Sequence, residues 1–299
     1  MRHHPPPDPQ RRQWLLGSAS FTAAMPPATA AASPIEAVYP RMPERPVDGY
    51  AYQLLRLALE ASGQPFRLRL TAEELPSVRA FKSLESGEFN VMDAGAAPRL
   101  AERAEVLPFP LDLGLCGYRV MLVRRDRVAA LRQVHDLTDL RRLSFGQGPD
   151  WVDNYILRAA GLSVQEAEFL ALFRMLEAGR FDAFPLGADE AGTLLDTFRH
   201  LAPSVVVLED WCLHYRFARV LVVRRGQPAL RQALSRGLQA IFNDGRAQAL
   251  LRRDARLGPV LTGQRPLPER VLQLPNPQWT RAFDAIPEPL MFMPGRPAH

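Results

Sequence analysis

The chain has 299 residues, 47% of them hydrophobic and 23% charged, with a formal charge of +5. That apolar share supports a real core, in one large domain or two ordinary ones, and excludes a disordered chain. The positive charge is almost all arginine, with Lys82 the single lysine, and it is interleaved with acids, as in Arg99-Glu102-Arg103-Glu105 and Arg252-Arg253-Asp254; this is a solvated surface and not a nucleic-acid stripe.

Residues 1–32 read as a cleavable export signal. A basic, proline-broken start (Arg2 to Arg12) precedes an apolar run from Trp14 to Met25 and small residues at Ala28-Thr29-Ala30-Ala31-Ala32. The run is shorter than the roughly 20 residues of a membrane span. Arg11-Arg12 ahead of Trp14-Leu15-Leu16 resembles a twin-arginine signal, although Gln10 and Trp14 depart from its pattern. An ordinary secretory signal is the alternative, and either predicts an exported, periplasmic chain. Cys116 and Cys212 fit neither a C-x-x-C nor a metal site. Buried free thiols are expected, while export would permit one disulfide between them.

The body alternates strand and helix. Ile35–Tyr39 is a short apolar strand. Asp48 is placed to cap a helix over Tyr50–Ser62, with Leu54, Leu55, Ala58 and Leu59 on one stripe and Gly63 as its stop. Phe66-Arg67-Leu68-Arg69-Leu70 alternates like a half-buried strand. A helix near Pro76–Ser86 ends at Gly87, and Phe89–Ala94 is the next strand. The alternation predicts βαβ units.

Two segments recur. Leu84-Glu85-Ser86-Gly87-Glu88-Phe89-Asn90 returns as Leu176-Glu177-Ala178-Gly179-Arg180-Phe181-Asp182. Each reads as a helix end, a glycine stop and entry into a buried strand, which runs out at Gly95 or Gly187. Val120-Met121-Leu122-Val123-Arg124-Arg125 is matched by Val220-Leu221-Val222-Val223-Arg224-Arg225, each followed within a few residues by Ala-Leu-Arg-Gln. Two copies are too few for a solenoid and predict two similar α/β lobes joined by two crossover strands.

With Gly117–Val123, Asp139–Gly148, Leu172–Asp182 and the long helix running to Gly245, these segments resemble a type II periplasmic solute-binding protein of the extracellular family 3 kind. The resemblance implies an α/β, two-lobed fold with a hinge of two crossover strands. Lobe 1 would comprise 33–116 and 220–299, and lobe 2 117–219. A small polar or zwitterionic solute would be trapped between them, for an ABC-type importer. Family receptors clamp a ligand carboxylate with an arginine after a first-lobe strand. Arg99 lies near that place and Arg103 fits the spacing better. Their second-lobe aspartate is expected near Gly187, so Asp189 and Glu190 come two or three residues late. The remaining candidate ligand contacts are Tyr39 at the tip of the first strand, Asp93 at a strand end, Gln147 in the Gly146-Gln147-Gly148 loop, and Trp151. Trp151 and Tyr155 would share one helix face. Asp150 and Asp153 would use the positive end of that helix and disfavour an anion there.

Serine-hydrolase, metalloprotease and P-loop motifs are absent from the sequence. The expectation is therefore a monomeric binding protein with no catalytic residue, cofactor or metal, working with a small-molecule ligand and an inner-membrane permease. The alternatives are a ligand-sensing domain outside transport, or a small lyase or dehydratase on the same fold. The Pro-rich stretch from about Gly258 is expected to lie on lobe 1 as an irregular tail, with Val271–Leu274 pairing at an edge.

Overall fold

The computed structural model describes residues 1–3, 33–42, 48–75, 79–149 and 151–294. The leader signals and Asp150 lie outside the described residues. The first lobe opens with β1 (Ile35–Arg41), α1 (Tyr50–Ala61) and β2 (Phe66–Glu74). It continues through α2 (Ala80–Ser86), β3 (Val91–Gly95), α3 (Pro98–Arg103) and β4 (Ala104–Leu107). The second contains β5 (Tyr118–Arg124), α4 (Val128–Leu131), α5 (Leu137–Leu140), β6 (Ser144–Gln147) and α6 (Val152–Ala159). It goes on through β7 (Ser163–Glu166), α7 (Phe169–Glu177), β8 (Phe184–Gly187), α8 (Ala191–Thr197) and β9 (Val205–His214). The chain then returns for β10 (Arg219–Arg224), α9 (Pro228–Asn243), α10 (Arg246–Arg253) and α11 (Gly258–Leu261), before a last strand, β11 (Arg270–Gln273).

The lobes repeat one strand order. In the first, parallel β1 and β2 lie beside the antiparallel set β3-β10-β4. In the second, parallel β6 and β7 lie beside β8-β5-β9. Asn90 stitches the first halves together: its Oδ1 accepts Val38 N–H at 2.8 Å and its own N–H reaches Val38 O at 3.1 Å. Asp182 does the same against Ser144, at 2.9 Å for both bonds. Phe89 and Phe181 are buried beside them. The recurring Gly-x-Phe-Asn/Asp segment is thus a structural repeat.

Continuous apolar runs are expected in strands covered on both faces. Val120–Val123 and Val220–Val223 are buried throughout. One face of the first-lobe sheet holds Leu54, Leu55, Leu234 and Leu238, the other Leu84, Phe89, Leu100 and Phe283. The second-lobe faces hold Phe145, Ile156 and Trp211, and Leu172, Phe173 and Phe184. Cys116 and Cys212 are buried free thiols in different clusters.

Three expectations need correcting. Asp48 does not cap α1: Gly49 holds the capping position without a side-chain bond, and Asp48 contributes its backbone carbonyl to Gln53 at 2.6 Å. It stands one residue too early for its carboxylate to serve the first turn. Trp151 and Tyr155 do not share a buried face, because Trp151 precedes α6 while Tyr155 is exposed. The tail does not stay on the first lobe. β11 joins the edge of the second-lobe sheet, parallel to β9 (Val271 opposite Cys212). Asn276 then bonds Arg216 O at 2.8 Å, Phe283 and Ile286 sink into the first lobe, and Phe292 N–H donates to Leu113 O at 2.7 Å. An unpaired strand edge is a ready acceptor for an extended segment, even a Pro-flanked one.

Candidate functional site

Arg119 and Arg219 each stand at the start of an apolar strand, as the second residue of β5 and the first of β10, and each lies opposite the glycine that ends the neighbouring strand: Arg119 opposite Gly187, Arg219 opposite Gly95. A guanidinium in such a place must be paired. In the first lobe Arg219 Nε donates to Asp93 Oδ2 at 3.1 Å, and Tyr39 O–H donates to Asp93 Oδ1. In the second, Arg119 Nη2 lies 2.9 Å from Asp153 Oδ1, Arg119 Nε donates to Tyr215 Oη at 2.7 Å, and Tyr215 O–H donates to Asp153. Each lobe therefore carries an Arg–Asp–Tyr triad at the start of its central strand. Burial pushes the Tyr215 phenol well above its ordinary range, which keeps it a donor.

Asp112 ties the connection between the lobes to the first triad. It is fully buried. Its Oδ1 accepts Arg219 N–H and Gly114 N–H, both at 3.0 Å, and its Oδ2 accepts Cys116 N–H at 3.2 Å. These bonds hold Leu113 at φ 52°, a left-handed conformation uncommon for leucine.

The lobes meet directly through Arg256, in the turn between α10 and α11. Its Nη2 lies 3.3 Å from Asp189 Oδ2 and 3.1 Å from Glu190 Oε2, both just past β8. Glu190 also approaches Arg119 Nη1 at 4.0 Å. One nitrogen cannot neutralise two carboxylates. Burial, then the charge of Glu190, pushes the Asp189 carboxyl up to about 7, while Arg256, Asp112 and Arg219 also act on it. Burial and Asp112 raise the Cys116 thiol well above its usual range, and Asp189 contributes. Tyr50, raised by burial, feels Arg219, Asp112, Asp189 and Asp93. The two triads, Asp112 and the Arg256 bridge are one electrostatic unit.

Three buried acceptor atoms near it have no partner: Gln147 Oε1, Asn154 Oδ1 and Asp189 Oδ1. Gln147 spends its amide N–H on Pro185 O at 3.2 Å, and Asn154 spends its own on Gly148 O at 2.9 Å. All three belong to the second lobe, at the carboxyl ends of β6 and β8 and the first turn of α6.

Tyr39 and Asp93 thus meet in one bond, and Asp189 and Gln147 are buried at second-lobe strand ends. Trp151 is half-buried against Phe169 and Phe184, with ring centroids 6.3 and 6.4 Å away. Arg99 and Arg103 sit on the exposed side of α3, Arg99 over the Phe81 ring and Arg103 3.6 Å from Glu85. Sequence reasoning passed over Arg119, Arg219, Asp112 and Arg256, and treated Asp153 only as a helix-end acid. A signal was present for the first two: an arginine directly before an apolar strand, in both copies of the repeat. Two surface hollows of about 190 and 380 Å³ open elsewhere, beside Arg124 and Asp182 and beside Gln53 and Arg246.

No protein-family model and no curated protein matches the sequence. Solved structures match the fold. An ancestral arginine-binding protein bound to arginine superposes with a TM-score of 0.53 at 14% identity, over 74% of this chain and 98% of that one. A chain from the glutathione import system that uses the cystine ABC importer of Streptococcus mutans gives 0.54 at 12%, over 76% and 96%. A histidine kinase sensor domain with similarity to periplasmic binding proteins gives 0.52 at 21%, over 73% and 93%. The chain has the two-lobed, type II periplasmic-binding fold.

Proposed function

We propose that the chain is an exported, monomeric solute-binding protein that traps a small polar solute between its lobes and hands it to the permease of an ABC importer. The observation that carries this reading is the pair of buried Arg–Asp–Tyr triads, one at the start of each lobe's central strand, with the Arg256 bridge between the lobes beside them. Burying that many charges together costs stability compared with an apolar filling. Such a cluster suits recognition of a polar ligand better than it suits a core. Relatives named for arginine binding and for ABC import support the transport reading. Tyr39, Asp93, Gln147, Trp151 and Asp189 are the proposed contacts, with Arg99 or Arg103 at the rim. Catalysis forms no part of the reading, and a hit that is consumed with time would replace it by an enzymatic one.

A thermal-shift screen over amines, amino acids, organic acids, sugars and short peptides tests it. A true ligand at a hundred times its dissociation constant adds roughly 2.7 kcal/mol of stability, and silence across all classes overturns the proposal. Export is tested separately. Mass spectrometry of the envelope protein should find a start near residues 31–34, and an intact Met1 would refute cleavage.

One observation favours a sensing role as the second reading. The tail crosses to the second lobe at β11 and returns through Asn276, adding two tethers to the two interlobe connections. Free closure on ligand should shrink the radius measured by small-angle scattering. An unchanged radius with saturating ligand would favour the sensing module.

A further inference from the structure

We infer that the solute is a small organic cation without a carboxylate, whose ammonium or guanidinium N–H groups bind Gln147, Asn154 and Asp189 on the second lobe. This rests on the solute-trapping reading of the same site. The charges come first. The unit holds five carboxylates (Asp93, Asp112, Asp153, Asp189, Glu190) against three guanidiniums (Arg119, Arg219, Arg256). Each guanidinium already has a carboxylate within 3.3 Å. Because Asp189 holds its proton up to about pH 7, the deficit is one positive charge below that pH and two above it. A zwitterion leaves it untouched, an anion deepens it, and an amine or diamine reduces or cancels it.

The orphaned atoms point the same way. Gln147, Asn154 and Asp189 are each at most 2% exposed, and their unpartnered atoms are two amide carbonyl oxygens and a carboxyl oxygen that becomes an acceptor once Asp189 ionises. Acceptors left empty in a buried site are costly, and a ligand rich in N–H donors removes that cost. Asn154 adjoins Asp153 and Asp189 adjoins Glu190, the two acids that Arg119 links, while Gln147 is bonded to β8 itself. The three therefore gather at one end of the β6–β8 pair. The chain supplies a stand-in as well, since Arg256 already sets a guanidinium on Asp189 from the turn between α10 and α11. Among the described residues no three His, Cys, Asp or Glu side chains are grouped to hold a metal ion, so the acids match a donor-bearing organic cation better than a bare one.

The test uses pairs that differ only in the α-carboxylate: agmatine against arginine, and 1,4-diaminobutane against ornithine, with neutral and anionic solutes alongside. The decarboxylated member of each pair should bind about tenfold tighter or better. Calorimetry at pH 7 in buffers of different ionisation enthalpy should show proton release on binding. A cation beside Asp189, which faces Glu190, Arg256, Asp112, Arg219, Tyr50 and Cys116, drives off its proton. Asp189→Asn should lose amine affinity at least about tenfold while still melting cooperatively, and Glu190→Gln should lose less. Tighter binding of the amino acids, or binding of only neutral or anionic solutes, overturns the cation and leaves solute trapping standing. Unchanged amine affinity in Asp189→Asn overturns the site. No binding from any class overturns both readings.

Discussion

In the first lobe the aspartate that holds the strand-opening arginine stands on a strand, whereas in the second it stands on a helix. Asp93 lies on β3, two residues before Gly95. Counted back from Gly187, the same place on β8 is Pro185, which has no acid and gives its carbonyl to Gln147. The second lobe takes its carboxylate from Asp153 in the first turn of α6. The tyrosines also differ in origin, Tyr39 from β1 and Tyr215 from the connection after β9. What the two lobes share is the demand: a guanidinium at the start of a buried strand needs a carboxylate and a phenol, from whichever element can reach. They differ in solvent access as well, with the Arg119 side chain 8% exposed and that of Arg219 24%.

The largest expected effect breaks this comparison at its centre. Arg119→Ala leaves Asp153 buried beside Tyr215 alone and should cost roughly 3–5 kcal/mol in urea unfolding. Arg219→Ala should cost less, about 2 kcal/mol, because water reaches the gap and Tyr39 still donates to Asp93. Adding Asp153→Ala to Arg119→Ala should recover part of the loss. Equal costs for the two arginines would show that solvent access does not separate the lobes.

Next in size is the pH response of the interlobe bridge. The folded Asp189 carboxyl titrates near 7 against an ordinary 3.8, so the native state holds its proton more tightly than the unfolded chain. Stability from this group is complete below about pH 4 and is lost as pH rises through 7. Asp189→Asn has no such loss. The variant should gain on the parent protein between pH 4 and 7, reaching a few kcal/mol at pH 8. A difference that stays flat with pH would mean that Arg256 fully neutralises the carboxylate.

Much of the fold was legible because it rests on local patterns. The apolar runs 120–123 and 220–223 return as buried strands, one central to each lobe's sheet, and the Gly-x-Phe-Asn/Asp repeat and the α1 stripe reappear as the elements they predict. The site was less so. Asp153 and Arg119 are 34 positions apart and Asp112 and Arg219 are 107 apart, and no local periodicity records such pairings. Tyr39 and Asp93 stood out as a strand tip and a strand end, which the structure joins in one bond, while Gln147 stood out through its Gly-flanked loop and Asp189 through the resemblance. Their partners came from the interlobe connections and from α10–α11, where sequence gives only polar residues among many. Edge pairing by Val271–Leu274 was legible in the tail, but which lobe's edge it takes was hidden for a related reason. Its edge pairing depends on β9 having a free side, which is a property of the whole sheet.

A smaller effect sharpens the comparison through the phenols. Tyr215→Phe removes a donor to Asp153 and an acceptor for Arg119, while Tyr39→Phe removes a donor to Asp93. A hydrogen bond to a charged group is worth roughly 1.5–3 kcal/mol. Both variants should lose stability in that range, with Tyr215→Phe the greater. The reverse order would place the tighter network in the first lobe.

The smallest effect tests whether the lobes repeat in energy as well as in shape. Gly87 (φ +87°) and Gly179 (φ +67°) end the two copies of the helix-to-strand turn. A methyl group at Gly87 would come 3.0 Å from the Arg224 guanidinium, and one at Gly179 2.9 Å from that of Arg124. These arginines end β10 and β5, so the two turns face equivalent partners. Guanidinium ends can swing aside, and the pair that Arg124 makes with Asp126 is partly exposed, so displacing it costs little. The left-handed backbone then dominates, at roughly 1–2 kcal/mol for an alanine. Gly63 (φ +70°) has nothing within 4 Å of such a methyl and lies outside the repeat. Gly63→Ala therefore measures the backbone cost alone. Gly87→Ala and Gly179→Ala should exceed it by a few tenths of a kcal/mol and agree with each other to the same margin. If one matched Gly63→Ala while the other cost far more, the arginine over that turn would be fixed in one lobe and free in the other.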